Sequence, residues 1–261
     1  MPREHLTVVK TLRYKRLLLA LFAATTIFGQ SIGEDRDVSW KKLVPNILQD
    51  QKHIWTLPAR LAEGDGRDWL ASTVVVATTG GLVVADPHIS GYFRSHESTF
   101  HDLNNAFSGG VTAAITAAPP VAMLAFGMLR HDQKMTKTSL LVAEAVADVQ
   151  VIQVVFKGAT GRLRPTDVPH GNLSDSWNDR SGFNRFQSSF PSGHELTAMA
   201  VATVISHRYK EHRWVPILSY GIAGAIGFTR VAQGAHFTSD VFMGAALGYT
   251  VARFSVLPNH E

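Results

Sequence analysis

Residues 190–207 read FPSGHELTAMAVATVISH. Proline and serine just ahead of glycine are residues that begin helices, because their backbone preferences suit a first turn whose N–H groups have no partner inside the helix. The alanine and valine content of the run from Leu196 to Ile205 fits a helix as well as a strand, but the segment is longer than an ordinary strand. The stretch therefore predicts a helix over about 193–209. Five further apolar segments, near 68–86, 110–129, 138–157, 213–229 and 236–253, are also longer than ordinary strands. Together they predict an all-α fold, a six-helix bundle forming one core domain over 68–255. A polar extension over 32–67 precedes it, with Pro45, Pro58 and the turn-like Glu63-Gly64-Asp65-Gly66. No fixed-period repeat is present.

Charge separates the front of the chain from the rest. The 261 residues hold 25 Lys and Arg against 21 Asp and Glu, a formal net charge of +4. Residues 1–31 contain Arg3, Lys10, Arg13, Lys15 and Arg16 against Glu4 alone, so the remainder balances. The basic pI thus belongs to a leader, and a balanced core argues against a nucleic-acid partner. The apolar run Leu17–Phe28 follows the basic stretch, with Gly29 and Ser31 at positions suited to processing, so residues 1–31 read as a signal peptide or N-terminal anchor. The absence of cysteine excludes disulfides, thiolate metal sites and a cysteine nucleophile.

The middle segments point both ways on lipid. Residues 69–85 and 111–129 are uncharged and nearly long enough to span, yet Gly80-Gly81 and Pro119-Pro120 interrupt them. The third carries Glu144 and Asp148 four residues apart, which reads as the solvated face of an amphipathic helix, two carboxylates without a nearby histidine being weak evidence for a metal site. A polar connection over 166–189 is long enough to be a lid or a site wall. Its aromatics Trp177 and Phe183, with Phe186 and the adjoining Phe190, either rim a substrate tail or pin the loop to the bundle.

Three clusters carry chemistry. Lys157 is separated from Arg164-Pro165 by six intervening residues; Pro191-Ser192-Gly193-His194 opens a helix; Arg230, His236 and Asp240 follow, with five and three residues between them. Lys157, Arg164 and Arg230 supply one point charge and two planar donor forks, which suit a tetrahedral oxyanion. Backbone N–H groups near Ser192 and Gly193 can point at the same anion, with the helix dipole behind them. His236 and Asp240 lie four apart, hence on one helical face, where the carboxylate can hold one ring nitrogen as N–H and leave the other free to attack. His194 can then protonate a leaving oxygen from the opposite side.

The three clusters resemble the signature of the phosphatidic acid phosphatase type 2 / vanadium haloperoxidase superfamily, over residues 68 to 253. The resemblance implies that Lys157, Arg164, Ser192, Gly193 and Arg230 bind phosphate. It implies that His236 is the nucleophile forming a phosphohistidine, Asp240 its partner and His194 the general acid, with no metal or other cofactor and with vanadate binding as a phosphate mimic. Thr229 stands where serine is usual, and Glu195 where a small or hydroxyl residue is usual, so an inward-turned Glu195 would compete with the substrate. The activity implied is hydrolysis of phosphate monoesters, of a phosphorylated lipid or a small soluble ester; a vanadium-dependent haloperoxidase and a catalytically silent lipid-binding protein are the alternatives. An exported leader followed by six spans would put the site inside, whereas integral members of the family usually face it outward. The expectation is therefore an exported periplasmic enzyme resting on the membrane, the alternative being an integral or peripheral membrane protein with its site outside.

Overall fold

In a computed structural model, the structure describes residues 36–56, 66–169, 173–177 and 182–258. The leader expected over 1–31 lies outside the described residues. The described chain is all-α: α1 Leu43–Trp55, α2 Gly66–Ser95, α3 Glu97–Ala106, α4 Gly109–Arg130, α5 Gln133–Thr160, α6 Gly193–Arg208, α7 Trp214–Ala232 and α8 Thr238–Val251, with a closing π turn over Ala252–Val256. Each of the six expected segments coincides with a helix. The short α1 and α3 were not anticipated.

Among the described residues, four helical stretches are long and apolar enough to cross a membrane: Leu70–Ser95, Glu97–Arg130, Gln133–Asp167 and Trp214–Ala232. Only 11% of the apolar windows of the first two is buried in the protein. Lipid is the medium in which such exposed apolar surface is stable. This overturns the expectation of an exported periplasmic enzyme resting on the membrane: the chain is an integral membrane protein.

The supposed interruptions do not break the helices. α2 runs through Gly80-Gly81, and α4 runs through Pro119-Pro120. Ser139 of α5 donates to the Pro120 carbonyl at 2.7 Å, and neighbouring helices re-satisfy backbone groups in this way in spans that carry proline.

α6 is the centre of the bundle, packed on α5, α7 and α8. Leu141, Val149, Ile152, Leu196, Ala200, Val204, Val251 and Val256 form the main core. Complete burial of a side chain such as Leu196 contributes about 1.5–3 kcal/mol. α6 and α8 cross so closely at Gly248 that a Cβ there would lie 2.3 Å from the Leu196 carbonyl oxygen.

Glu144 and Asp148 are not a solvated face; both are fully buried. α1 covers them: Asn46 donates to Glu144 at 2.8 Å and Gln51 to Asp148 at 2.8 Å. Arg36 pairs with Asp50 at 2.7 Å, lies 3.9 Å from Glu144 and donates to the Ser255 and Val256 carbonyls. Acids in an apolar span are tolerated when they face a polar interior, and here a segment that looked like a polar extension supplies it.

Candidate phosphate site

The three clusters are brought together at one end of the bundle. Asp132 caps the N-terminus of α5 by accepting from the Met135 N–H. At the other end Gly161, with φ 53°, stops the helix in a left-handed conformation suited to glycine. The chain then turns into Arg162, Leu163 and Arg164. Backbone hydrogen bonds lock this turn to the others: Ser189 N–H to the Arg162 carbonyl at 2.8 Å, Ser192 N–H to the Asp240 carbonyl at 3.0 Å, and Thr166 N–H to the Gly234 carbonyl at 3.2 Å.

His236 is not on a helix. α8 begins at Thr238 with Phe237 as its N-cap, so His236 lies in the α7–α8 connection, its N–H bonded to the Arg230 carbonyl at 3.2 Å. The shared helical face expected for His236 and Asp240 is therefore absent, although the two still meet, with Nδ1 3.8 Å from Asp240 Oδ2. The nearer partner of Nδ1 is the Ser189 carbonyl at 2.8 Å. A carbonyl only accepts, so this contact places the proton on Nδ1 and leaves Nε2 with its lone pair. Asp240 stands one step behind, accepting from the Ser189 hydroxyl at 2.5 Å and from Phe237 N–H at 2.8 Å.

Burial pushes the His236 imidazole below its usual pKa, against the pull of Asp240 and with help from the charges of Arg164 and Lys157. Burial alone would raise the Asp240 carboxyl, but the hydrogen bond and charge of His236, with Arg162 and the Ser189 hydroxyl, hold it below the usual carboxylate range. His194 is pushed down to about 4, by burial first and then by Arg230, His236 and Arg164, while a contact with the Gly109 backbone works the other way. Arg164 thus acts on both histidines, Arg230 on His194 and Lys157 on His236, and Lys157 and Arg230 are both buried.

Two buried polar atoms at this place lack a hydrogen-bond partner among the described residues, Ser192 Oγ and Arg230 Nε. The rest of the Arg230 guanidinium is anchored, Nη2 donating to the Phe107 carbonyl and to Thr112 Oγ1. Gly193 lies against the Gln153 carboxamide, close enough that a Cβ would reach 2.4 Å from Oε1. Glu195 is turned away: it is buried against α7, its Oε2 2.7 Å from where a Cβ on Gly227 would stand. In the loop, Trp177 packs at 5.4 Å from Phe190, which pins the loop, while Phe186 is exposed; the Phe183 side chain lies outside the described residues.

Two residues at the site have no counterpart in the three clusters. Arg162 is almost fully buried, donating from Nη1 to Asp240 Oδ1 at 2.6 Å and Ser239 Oγ at 2.7 Å, and from Nη2 to Asp86 Oδ2 at 2.7 Å. Its guanidinium is sandwiched between the Trp177 and Phe237 rings, 4.2 and 4.0 Å from their centroids. Asp86, from within the α2 span, also accepts from Ser239 N–H at 3.0 Å. The signal in the sequence was an acid ending an otherwise uncharged run, which requires a partner.

Fold and site define a membrane-embedded helical bundle with a cationic cage and a buried, oriented histidine at one end. Comparison with known proteins agrees with this class: the profile of the PAP2 superfamily matches residues 136–259, and the chain matches this acid phosphatase/haloperoxidase superfamily as the three clusters led one to expect. A lipid A 1-phosphatase of Rhizobium johnstonii is 34% identical over 149 residues, covering 52% of this chain and 58% of that protein. A lipid A 1-phosphatase of Porphyromonas gingivalis is 29% identical over 144 residues, covering 54% of this chain and 28% of that protein. The match therefore spans well under two thirds of these curated relatives. A crystal structure of a transmembrane PAP2-type phosphatidylglycerolphosphate phosphatase from Bacillus subtilis aligns with a TM-score of 0.46 at 20% identity, covering 69% of this chain and 91% of that one.

Proposed function

We propose that the protein is a membrane phosphatase that removes the terminal phosphate of a phosphorylated lipid through a phosphohistidine on His236. The observation that carries this reading is the 2.8 Å contact from His236 Nδ1 to the Ser189 carbonyl, which leaves Nε2 as a nucleophile beside the cationic cage. The names of the lipid A 1-phosphatases and the apolar spans support a lipid as the carrier of the phosphate.

Lys157, Arg164 and Arg230 hold the non-bridging oxygens, joined by the Ser192 hydroxyl and the N–H groups opening α6. His236 Nε2 attacks phosphorus in line; the N–P bond forms as the P–O bond to the lipid breaks, and the leaving oxygen takes a proton from His194. Neutral His194 then accepts a proton from a water that attacks phosphorus, the N–P bond breaks, and inorganic phosphate leaves. Asp240 and the Ser189 carbonyl keep the ring oriented and balance the charge it acquires.

Rapid quench of the purified protein with a ³²P-labelled phosphorylated lipid is expected to place acid-labile, base-stable label on His236. Full turnover by His236→Ala, or label on another residue, overturns the mechanism. Halide oxidation after vanadate loading, in the absence of any phosphate release, would replace it with the haloperoxidase alternative.

A further inference from the structure

At the end of the bundle away from the site, a cavity of about 520 Å³ opens between the start of α5 and the end of α6, lined by Gln133, Lys134, Lys137, His207, Arg208 and Lys210. We infer that it binds the phosphate headgroup of an anionic phospholipid in the leaflet opposite the candidate phosphate site.

Position carries the first part of the argument. Lys137 and Lys157 lie on the same helix, about twenty residues apart, hence about 30 Å at the helical rise, which is the thickness of a bilayer's hydrocarbon core. With Lys157 in the cage at one interface, Lys137 and the cavity fall at the other. The cavity is thus a separate place, at the depth of lipid headgroups.

Charge carries the second. Four Lys and Arg converge there from two helix ends, against Asp132 and Glu211. Asp132 is engaged by the Met135 N–H and Glu211 by Lys134, which also lies 4.5 Å from the Tyr209 ring. Asp37, within electrostatic reach of Lys137, is paired with Lys42. Arg208 is oriented by Thr138, Nε to Oγ1 at 3.3 Å. The balance at the cavity is positive, and basic pockets between membrane helices hold lipid phosphates by such donors.

Apolar surface decides between a lipid and a free anion. α4 packs on α5 and α7 on α6, and beside the cavity these neighbours expose Leu129, Trp214 and Ile217. A headgroup in the cavity would have its acyl chains against this surface, with Trp214 at the level where tryptophan anchors helices to the interface. A soluble phosphate gains nothing from it.

This inference is independent of the phosphatase reading, and its test uses a phosphodiester that a monoesterase does not hydrolyse. The full chain is released from nanodiscs of phosphatidylcholine with phosphatidylglycerol, and retained lipid is counted by native mass spectrometry. Wild type is expected to retain phosphatidylglycerol in preference to phosphatidylcholine. The Lys137→Gln/Arg208→Gln/Lys210→Gln variant is expected to lose that preference, by about fivefold for each charge removed. Excess inorganic phosphate is expected to leave the retained lipid in place. A triple variant that keeps the wild-type preference overturns the proposal, and displacement by inorganic phosphate assigns the cavity to a soluble anion instead. If the triple variant does not fold, Lys210→Gln in the exposed turn after α6 gives the same reading as a single fivefold step.

Discussion

Arg162 holds Asp240 by a 2.6 Å hydrogen bond from Nη1 to Oδ1, with both side chains buried. The other arm of the guanidinium is committed to Asp86, so one cation ties α2 to the carboxylate beside His236. Only a planar fork reaches both acids, and only a flat cation fits between the Trp177 and Phe237 rings. Breaking a buried pair costs about 3–5 kcal/mol, because the remaining charge stays desolvated. Arg162→Lys is expected to lower kcat on an aryl phosphate at least tenfold and to lower Tm in detergent. Asp86→Asn, remote from the proposed reacting atoms, is expected to change kcat in the same direction with little change in KM. Wild-type turnover in both variants would remove Arg162 from any role in positioning Asp240.

The depressed His194 gives a pH test. Its pKa near 4 lies below the ordinary imidazole value, so the group is neutral in the unliganded protein over the physiological range, and the protonated fraction falls tenfold per pH unit above 4. Arg230 and Arg164 contribute to that depression. A bound phosphate dianion offsets both and raises the pKa, so protonated His194 is recovered in the complex. The basic limb of kcat should therefore lie at higher pH than that of kcat/KM. His194→Gln should lose far more activity on an alkyl phosphate, whose leaving group needs a proton, than on p-nitrophenyl phosphate. Equal losses on the two substrates would be incompatible with a general acid.

The cage is testable with an inhibitor. Orthovanadate is expected to compete with substrate, and Lys157→Gln, Arg164→Gln and Arg230→Gln are each expected to weaken it about tenfold to a hundredfold, the range of a charge-assisted hydrogen bond. Arg230→Gln should show the largest stability loss, since its guanidinium also fastens the α3–α4 turn through Phe107 and Thr112. Unaltered vanadate inhibition in all three would mean that these cations do not converge on the anion.

How far the sequence alone reaches depends on whether a residue's partner is local. Pro191-Ser192-Gly193 announces a helix start within four residues, and Lys157, Arg164, Arg230 and His236 stand at motif spacings; the structure gathers these positions at one end of the bundle. Asp86 and Arg162 lie far apart in sequence, and neither falls in a pattern that names the other. Glu144 and Asp148 misread as solvated for a related reason: a carboxylate at helical spacing looks the same whether water or another helix covers it. The clue was in the covering segment, where Asn46 and Asp50 stand four apart with Gln51 beside them, one polar face of a helix short enough to pass for a connection. Membrane residence was obscured by Gly80-Gly81 and Pro119-Pro120, which break helices in water and are tolerated in spans packed against neighbours.

That covered acidic face gives the last prediction. Asp50, Glu144 and Asp148 are fully buried around Arg36, whose Nη1 contacts both Asp50 oxygens and the Ser255 and Val256 carbonyls. Arg36 therefore fastens α1 and the C-terminal π turn to the middle of α5. Removing it takes the guanidinium away from Glu144 and Asp148 of the α5 span and from Asp50 of α1 beside them, and the lost compensation is about 3–5 kcal/mol. Arg36→Met, which keeps the bulk of the stem, is expected to lower Tm in detergent by several degrees and to expose the α1 backbone to hydrogen exchange. Adding Asp50→Asn and Glu144→Gln to Arg36→Met removes two of the stranded acids and should recover much of the loss, because the residual cost is charge burial rather than packing. Since Arg36 packs against the middle of α5, well away from the cage, kcat on an aryl phosphate below the melting transition should stay within about twofold of wild type. A single variant as stable as wild type, or a triple variant no better than the single one, would show that the acids are held without Arg36.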